Sequence, residues 1–383
     1  MKLFGPKIRD LTRYPLNGEH DFEYLDKSAR PEAARVRDFL ERAFSFWPAE
    51  RQAEMAARMP TKNYRSASFE LVLDELLRPR AKTVHVEPPK EGTPNRPDFL
   101  AEMDWGSFYL EAIDANEETP ERIAERKRVG ELVDLVNQMP SDNFFVGFEI
   151  EAAGPGQPSA ASIKGYLSTK LKGLDPDDDS IWIGDEGYQA PEWVWEDAGW
   201  RIVFRPMPKK AEARGAPGRR PVGTLSERLH LVDGVGAIRG AVKTKATRYG
   251  PMDRPYVIAV NLNSFSVDEV DYVDALFGSL VIIDRETEAG FKSYPVREND
   301  GSFGWAKKPR YTRVSAVAIF NDVDPWNVAQ RRGVLVHNPW GTHPLPTGQL
   351  GIDEAQYVGG ALQRQPGVPL WSLLELPADW PRG

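Results

Sequence analysis

Arg96-Pro97-Asp98-Phe99-Leu100, followed after a short gap by Phe108-Tyr109-Leu110-Glu111-Ala112-Ile113, is the stretch on which the fold turns. Both pieces read as short strands, and Glu102-Met103-Asp104-Trp105-Gly106-Ser107 between them has hairpin chemistry, with Gly106 able to take positive φ. Side chains alternate along a strand, so Asp98 shares a face with Leu100, and Glu111 shares one with Tyr109 and Ile113. If the two strands pair, their carboxylates meet at one end of the sheet. Acids so close repel each other unless a cation lies between them, and hard divalent ions such as Mg²⁺ take oxygen ligands of this kind. The pair points to a metal site.

A third acid joins the constellation. Residues 66 to 77 carry Phe69, Val72, Leu73, Leu76 and Leu77 at the helical period, with Glu70 on the flank of that stripe. Adding a strand at Thr83 to Glu87 gives the order α-β-β-β, and the segment from about 66 to 113 resembles the PD-(D/E)XK, or restriction-endonuclease-like, nuclease superfamily. The resemblance implies an αβββαβ core with a central mixed sheet flanked by helices, carrying an acid on the first helix, the Asp of the Pro-Asp strand, and an acid followed two residues later by lysine. It also implies Mg²⁺ or Mn²⁺ as cofactor. Asp98 and Glu111 would hold the ion with the Ala112 carbonyl, and Glu70 would hold a second ion or a metal-bound water.

Ile113 stands where that family has its lysine. Phosphodiester cleavage needs an attacking hydroxide and relief of charge on the phosphate, so a working enzyme requires another cation. Residues 236 to 249 read as a helix in which Ile238, Ala241, Val242, Lys245 and Tyr249 form the apolar stripe, placing Lys245 on the face that packs on the sheet. Arg239 and Lys243 share a more solvated face, and Lys243 is the fallback lysine. The following run, Pro255 to Asn261, is apolar enough for a strand buried on both faces. Some family members carry the lysine on such a helix. Under this alignment residues 114 to about 230 are an insertion. A nearer alternative uses a helix from Thr119 to Met139 and a strand from Asn143 to Ile150, with Arg122, Arg126, Lys127 or Arg128 as the cation.

The domain organisation expected is an N-terminal helical cover over residues 1–60, a nuclease-like core over 61–262 containing the insertion, and a C-terminal α/β extension over 263–383. Composition agrees with a globular chain. Of 383 residues, 41% are hydrophobic, enough to fill a core. With no cysteine, disulfides and thiolate metal sites are excluded and oxygen ligands remain. The absence of a signal-like apolar start or a 20-residue apolar run leads to an expectation of a cytoplasmic protein with no membrane partner, and a homodimer is compatible with it.

A net charge of -8 hides a strong asymmetry. Between Arg201 and Arg248 twelve basic residues face three acids, whereas residues 175 to 200 hold nine acids and no Lys or Arg. The basic region could meet a nucleic-acid backbone, with DNA the expected partner through Lys209, Lys210, Arg214, Arg219, Arg220 and Lys243. It could equally be neutralised by the acidic stretch. Trp193, Trp195 and Trp200 lie on two strand-like runs around a turn and are expected to pack a hairpin rather than stack on bases. Asp175 to Asp179 reads as a solvated turn, lacking the glycine and final glutamate of a calcium loop. His337 and His343, in a proline-rich run, read as structural. The function expected is a metal-dependent nuclease with catalytic residues Glu70, Asp98, Glu111 and Lys245. The alternative is a catalytically inactive nuclease-fold domain that binds nucleic acid or a protein.

Overall fold

The computed structural model describes residues 1–115, 120–178, 183–184, 187–188, 190–215, 222–227, 234–262, 267–287, 290–358 and 361–382. The chain divides into two compact units, Met1–Thr12 with Asp21–Glu117 and Val232–Gly383, and Arg13–His20 with Glu118–Leu231. Among the described residues no helix is long and apolar enough to cross a membrane.

The first unit is built on an eight-stranded mixed sheet whose strands lie side by side in chain order: β1 (Thr83–Val86), β2 (Phe99–Met103), β3 (Gly106–Ala115), β4 (Tyr256–Leu262), β5 (Ala316–Asn321), β6 (Gly333–His337), β7 (Asp353–Val358) and β8 (Ala361–Gln365). The pairs β3–β4, β4–β5 and β6–β7 are parallel and the others antiparallel. β2 and β3 form the expected hairpin, closed by Met103 opposite Gly106, and Gly106 takes φ 150°. Every residue of β4 is buried, as a parallel strand covered on both faces requires. From β5 onward the strands continue this same sheet. The hairpin of Leu280–Thr287 with Gly290–Arg297 stands outside it.

Helices cover both faces. On one side lie α1 (Asp21–Lys27), α2 (Pro31–Ser45), α3 (Ala49–Arg58) and α4 (Tyr64–Leu77), sharing a core with Leu110, Ala112 and Val257. On the other, α5 (Gly234–Ala246) sits over β3 and β4 beside α6 (Glu269–Phe277), sharing a core with Tyr109, Ile258 and Val260. Pro48 separates α2 from α3, where a proline has no amide to contribute to a continuing helix. The stripe assigned to α4 proves too narrow. Because α2 and α3 pack on it from outside while β3 lies beneath, Glu70, Asp74 and Glu75 are buried along with its leucines. Phe46 is half exposed at the end of α2, with the Arg78 guanidinium 4.6 Å from its ring centre.

In the second unit a four-stranded sheet has the order Trp193–Asp197, Trp200–Pro208, Phe144–Ala152, Val222–Glu227, with the helices Pro120–Asn137 and Ala160–Lys172. The nearer strand candidate, Phe144–Ala152, therefore pairs here, and β4 is the strand beside β3. Ala198 and Gly199 make the two-residue turn of the tryptophan hairpin with φ 48° and 85°, the left-handed pair that matches strand twist. Trp193, Trp195 and Trp200 are all buried among Phe148, Ile150 and Phe204, so the packing role expected of them is what the fold uses. Trp200 also donates Nε1–H to Gly156 O at 2.8 Å. Trp200→Ala is expected to cost about 3–5 kcal/mol of this unit's stability. Denaturant unfolding followed by tryptophan fluorescence measures it, and a loss below about 1 kcal/mol would show that the indole is dispensable to the core.

Candidate functional site

Asp98 directly precedes β2, and the register of Phe99 with Leu110 sets it beside Glu111. Backbone amides hold the two acids across the hairpin: Ala112 N–H donates to Asp98 Oδ2 at 2.6 Å, and Asp98 N–H donates to Glu111 Oε2 at 3.3 Å. Glu111 points to the α5 side of the sheet and is fully buried. Three residues from the end of α5 and the turn after it converge on its carboxylate. Lys245 Nζ donates to Oε1 at 2.5 Å, Arg248 Nη1 to the same oxygen at 3.3 Å, and the Tyr249 hydroxyl hydrogen-bonds Oε2. The Tyr249 hydroxyl also lies 2.9 Å from Arg96 O, but its single proton serves one acceptor at a time, and the carboxylate is the stronger. Spacings of three and four residues place all three groups on one helical face.

Lys245 therefore lies where its apolar-stripe position predicts, with its ammonium on Glu111. Lys243 is exposed. Arg239 is less solvated than its helical face suggests, since it donates to Asp274 O at 2.8 Å and pairs with Asp300 at 2.9 Å.

Glu70 is brought toward the pair by α4, and Arg58 at the end of α3 clasps it. Arg58 Nη1 donates to Oε2 at 2.8 Å and Nη2 to Oε1 at 2.5 Å, a fork-to-carboxylate match. Both Glu70 oxygens are thus engaged, so service to an ion or water requires this fork to open. The electrostatics still link the three acids. Burial, then the negative charges of Glu111 and Glu70, hold the Asp98 carboxyl well above the usual carboxylate range, against Lys245 and the Ala112 amide. Burial raises Glu70 as well, with Arg58 and Lys245 opposing. The Tyr249 phenol is pushed up by burial and by Glu111. The sequence marks Arg248 only as part of the basic region and Tyr249 only as part of the apolar stripe, and it gives no role to Arg58. The helical spacing of 245, 248 and 249 was the available signal for Arg248 and Tyr249; nothing local marks Arg58.

As a metal site the donors have the right chemistry. Among the described residues Asp98 Oδ1 accepts no hydrogen bond, whereas Lys245, Arg248, Tyr249 and the Asp98 amide take both Glu111 oxygens, so Glu111 would join Asp98 as a hard-oxygen ligand for Mg²⁺ or Mn²⁺ only by releasing one of these partners. The tension that raises Asp98 is of the kind a cation relieves. Among the described residues no group of three or more His, Asp or Glu is arranged to hold a metal ion. The fit rests on Asp98 and Glu111.

Of the six cations proposed to meet nucleic acid, Lys209 and Arg214 are engaged inside the second unit. Lys209 is not a surface cation: it is buried, donates to Ser141 O at 2.6 Å and lies 5.0 Å from the centre of the Phe145 ring. Arg214 forks onto Asp177 at 2.7 and 2.6 Å. Arg201 pairs with Glu151 and Glu196, and Arg205 with Glu149 and Glu192. The acidic stretch neutralises the basic one here, because strand pairing sets them side by side. Lys210 remains exposed; Arg219 and Arg220 lie outside the described residues. Among the nearer cations, Lys127 faces Glu131 at 4.0 Å and Arg128 donates to Gly154 O at 3.2 Å, while the side chains of Arg122 and Arg126 lie outside the described residues. Asp175 caps the Asp177 amide at 2.9 Å in the expected turn. His337 pairs with Glu354 at 3.1 Å and His343 with Met252 O at 2.8 Å, both structural contacts.

Comparison with protein-family models, curated proteins and solved structures finds no match for the chain.

The raised Asp98 carboxyl has a direct thermodynamic consequence. A group whose folded value lies above its unfolded one adds its full stability below the unfolded carboxylate range, and that contribution is lost as pH rises through the folded value. Asp98→Asn, which keeps an acceptor for Ala112 N–H, should therefore stabilise the metal-free protein by about 1 kcal/mol near neutral pH. Urea unfolding at about pH 5 and about pH 8 should show a flatter pH dependence than in the unsubstituted protein. Identical pH profiles would mean that Asp98 carries no such tension.

Proposed function

We propose that this chain is a metal-dependent nuclease that hydrolyses phosphodiester bonds in nucleic acid, DNA being the expected substrate, on a restriction-endonuclease-like core. The observation that carries this reading is the 2.5 Å contact of Lys245 Nζ with Glu111 Oε1, which puts an ammonium beside the acid pair although Ile113 fills the motif position. The element order α4-β1-β2-β3-α5-β4, with β3 and β4 parallel, supports this reading, since it is compatible with an αβββαβ core if residues 118–231 are taken as an insertion.

Asp98, Glu111 and the Ala112 carbonyl would hold Mg²⁺. When bound, the ion supplies positive charge for the scissile phosphate and lowers the pKa of water. The chain's own residues do the positioning. The Tyr249 hydroxyl and the Asp98 amide fix Glu111 Oε2 in place. Lys245 Nζ lies where it can hold the attacking water and steady the anionic phosphate. Arg248, whose side chain is 44% exposed, adds a guanidinium reaching from solvent to Glu111 for the nucleic-acid backbone. Glu70 contributes its charge, with Arg58 setting whether its oxygens are free.

A catalytically silent scaffold that binds nucleic acid or a protein is the second reading, and the closed Arg58–Glu70 fork with Ile113 at the motif position favours it. Assays on plasmid, linear duplex, single strands and RNA with Mg²⁺ or Mn²⁺ separate the two. Lys245→Ala and Asp98→Ala are each expected to lower kcat by about 10²–10³-fold, and Lys243→Ala to leave it unchanged. Calorimetry should show metal binding that Asp98→Ala abolishes. No cleavage of any substrate and no binding at millimolar metal would overturn the nuclease reading.

A further inference from the structure

A cavity of about 430 Å³ opens in the first unit on the α5 and α6 side of the sheet, away from Asp98 and Glu111, between the start of α6 and strands β5 to β8. Its floor is apolar: Ile319 of β5 lies opposite Val334 of β6, with Ala355 of β7 beyond. The ring of Tyr272 closes one side. A concave site of this volume with an apolar floor and a few polar groups at its mouth is the usual form of a small-molecule pocket.

The polar groups are unevenly satisfied. Arg332 forks onto Asp353 through Nε at 3.0 Å and Nη2 at 2.8 Å, and Asp353 Oδ1 also accepts Gly367 N–H at 2.8 Å. Arg364 Nη2 donates to Glu269 Oε1, while Glu269 Oε2 accepts the Tyr272 hydroxyl at 3.2 Å. Both carboxylates therefore have each oxygen occupied. Asp268 turns to its own helix and caps Val270 N–H and Asp271 N–H. Each guanidinium carries five N–H donors, and among the described residues Nη1 of Arg332 and both Nε and Nη1 of Arg364 donate to nothing. With side chains 57% and 64% exposed, these donors are open to the mouth of the cavity.

We propose that this cavity binds a small organic carboxylate, its apolar or aromatic body over Ile319, Val334 and Ala355 and its carboxylate on the unused N–H groups of Arg332 and Arg364. Glu354 is taken up by His337 and Gly348 N–H, and although Asn321 Oδ1 in the lining is a buried acceptor with no partner among the described residues, the unused guanidinium donors outnumber it, and guanidinium matches a carboxylate two bonds at a time, so an anion is preferred over an amine. Nothing in this proposal depends on the acid pair or on nuclease activity.

The probe is 3-phenylpropionate, with 3-phenylpropylamine as the opposite-charge control, added to the full chain and followed by saturation-transfer NMR and by calorimetry. The acid should bind and the amine should not. Arg332→Gln and Arg364→Gln lie at exposed positions and should each weaken binding by about tenfold. Ala355→Phe, which fills the floor, should abolish it, and its melting curve reports whether the variant folds. Absence of binding to the unsubstituted protein, equal binding of the amine, or full affinity in both arginine variants would overturn the proposal.

Discussion

A carboxylate with no exposure to water has to be answered within the protein, and Glu111 is that carboxylate. Its partners come from three directions: the Asp98 amide from the neighbouring strand, Lys245 from α5, and Arg248 and Tyr249 from the turn that follows. No single partner suffices, because desolvating an ion pair costs about as much as the pair returns unless the remaining lone pairs are also bonded. The group works as a network joining the Pro-Asp strand, β3 and the helix across β3 and β4. Parallel pairing of β3 with β4 is what brings α5 over Glu111, so the sheet topology and the charge network specify one another.

Asp98 shows the opposite behaviour. It sits close to two other acids and accepts one backbone hydrogen bond, and burial adds to the repulsion. A group held against its preferred ionisation is a local cost that the rest of the fold tolerates, and such costs concentrate where a charged ligand is to be received. Glu70 lies near enough to add to the tension yet is quieted by Arg58. The three acids thus occupy three electrostatic states: fully networked, strained, and locally neutralised.

Much of this was readable from local pattern. The period-two runs around Asp98 and Glu111, the stripe that includes Lys245, and the unbroken apolar run of β4 each announced an element and its inward face. What stayed hidden was every property set by a distant partner. The strand at 144–152 is also rich in apolar residues, and its pairing with Trp200–Pro208 is what assigns it to another sheet. Glu70 read as flanking because burial from α2 and α3 leaves no periodic trace in α4 itself. Lys209, Arg205 and Arg214 read as a basic surface because the groups that engage them lie tens of residues away in sequence. Arg58 had no local mark at all, since its role arises from where the end of α3 meets α4.

The Lys245–Glu111 contact spans 134 residues. During translation at about 5–20 residues per second, the lysine follows the glutamate by roughly 7 to 27 s. Over that interval β3 has neither its parallel neighbour nor its counter-ion, while the intervening stretch Glu118–Leu231 is being made. Until β4 emerges, the uncompensated Glu111 charge on β3 favours hydration over burial and disfavours pairing of this edge with another strand.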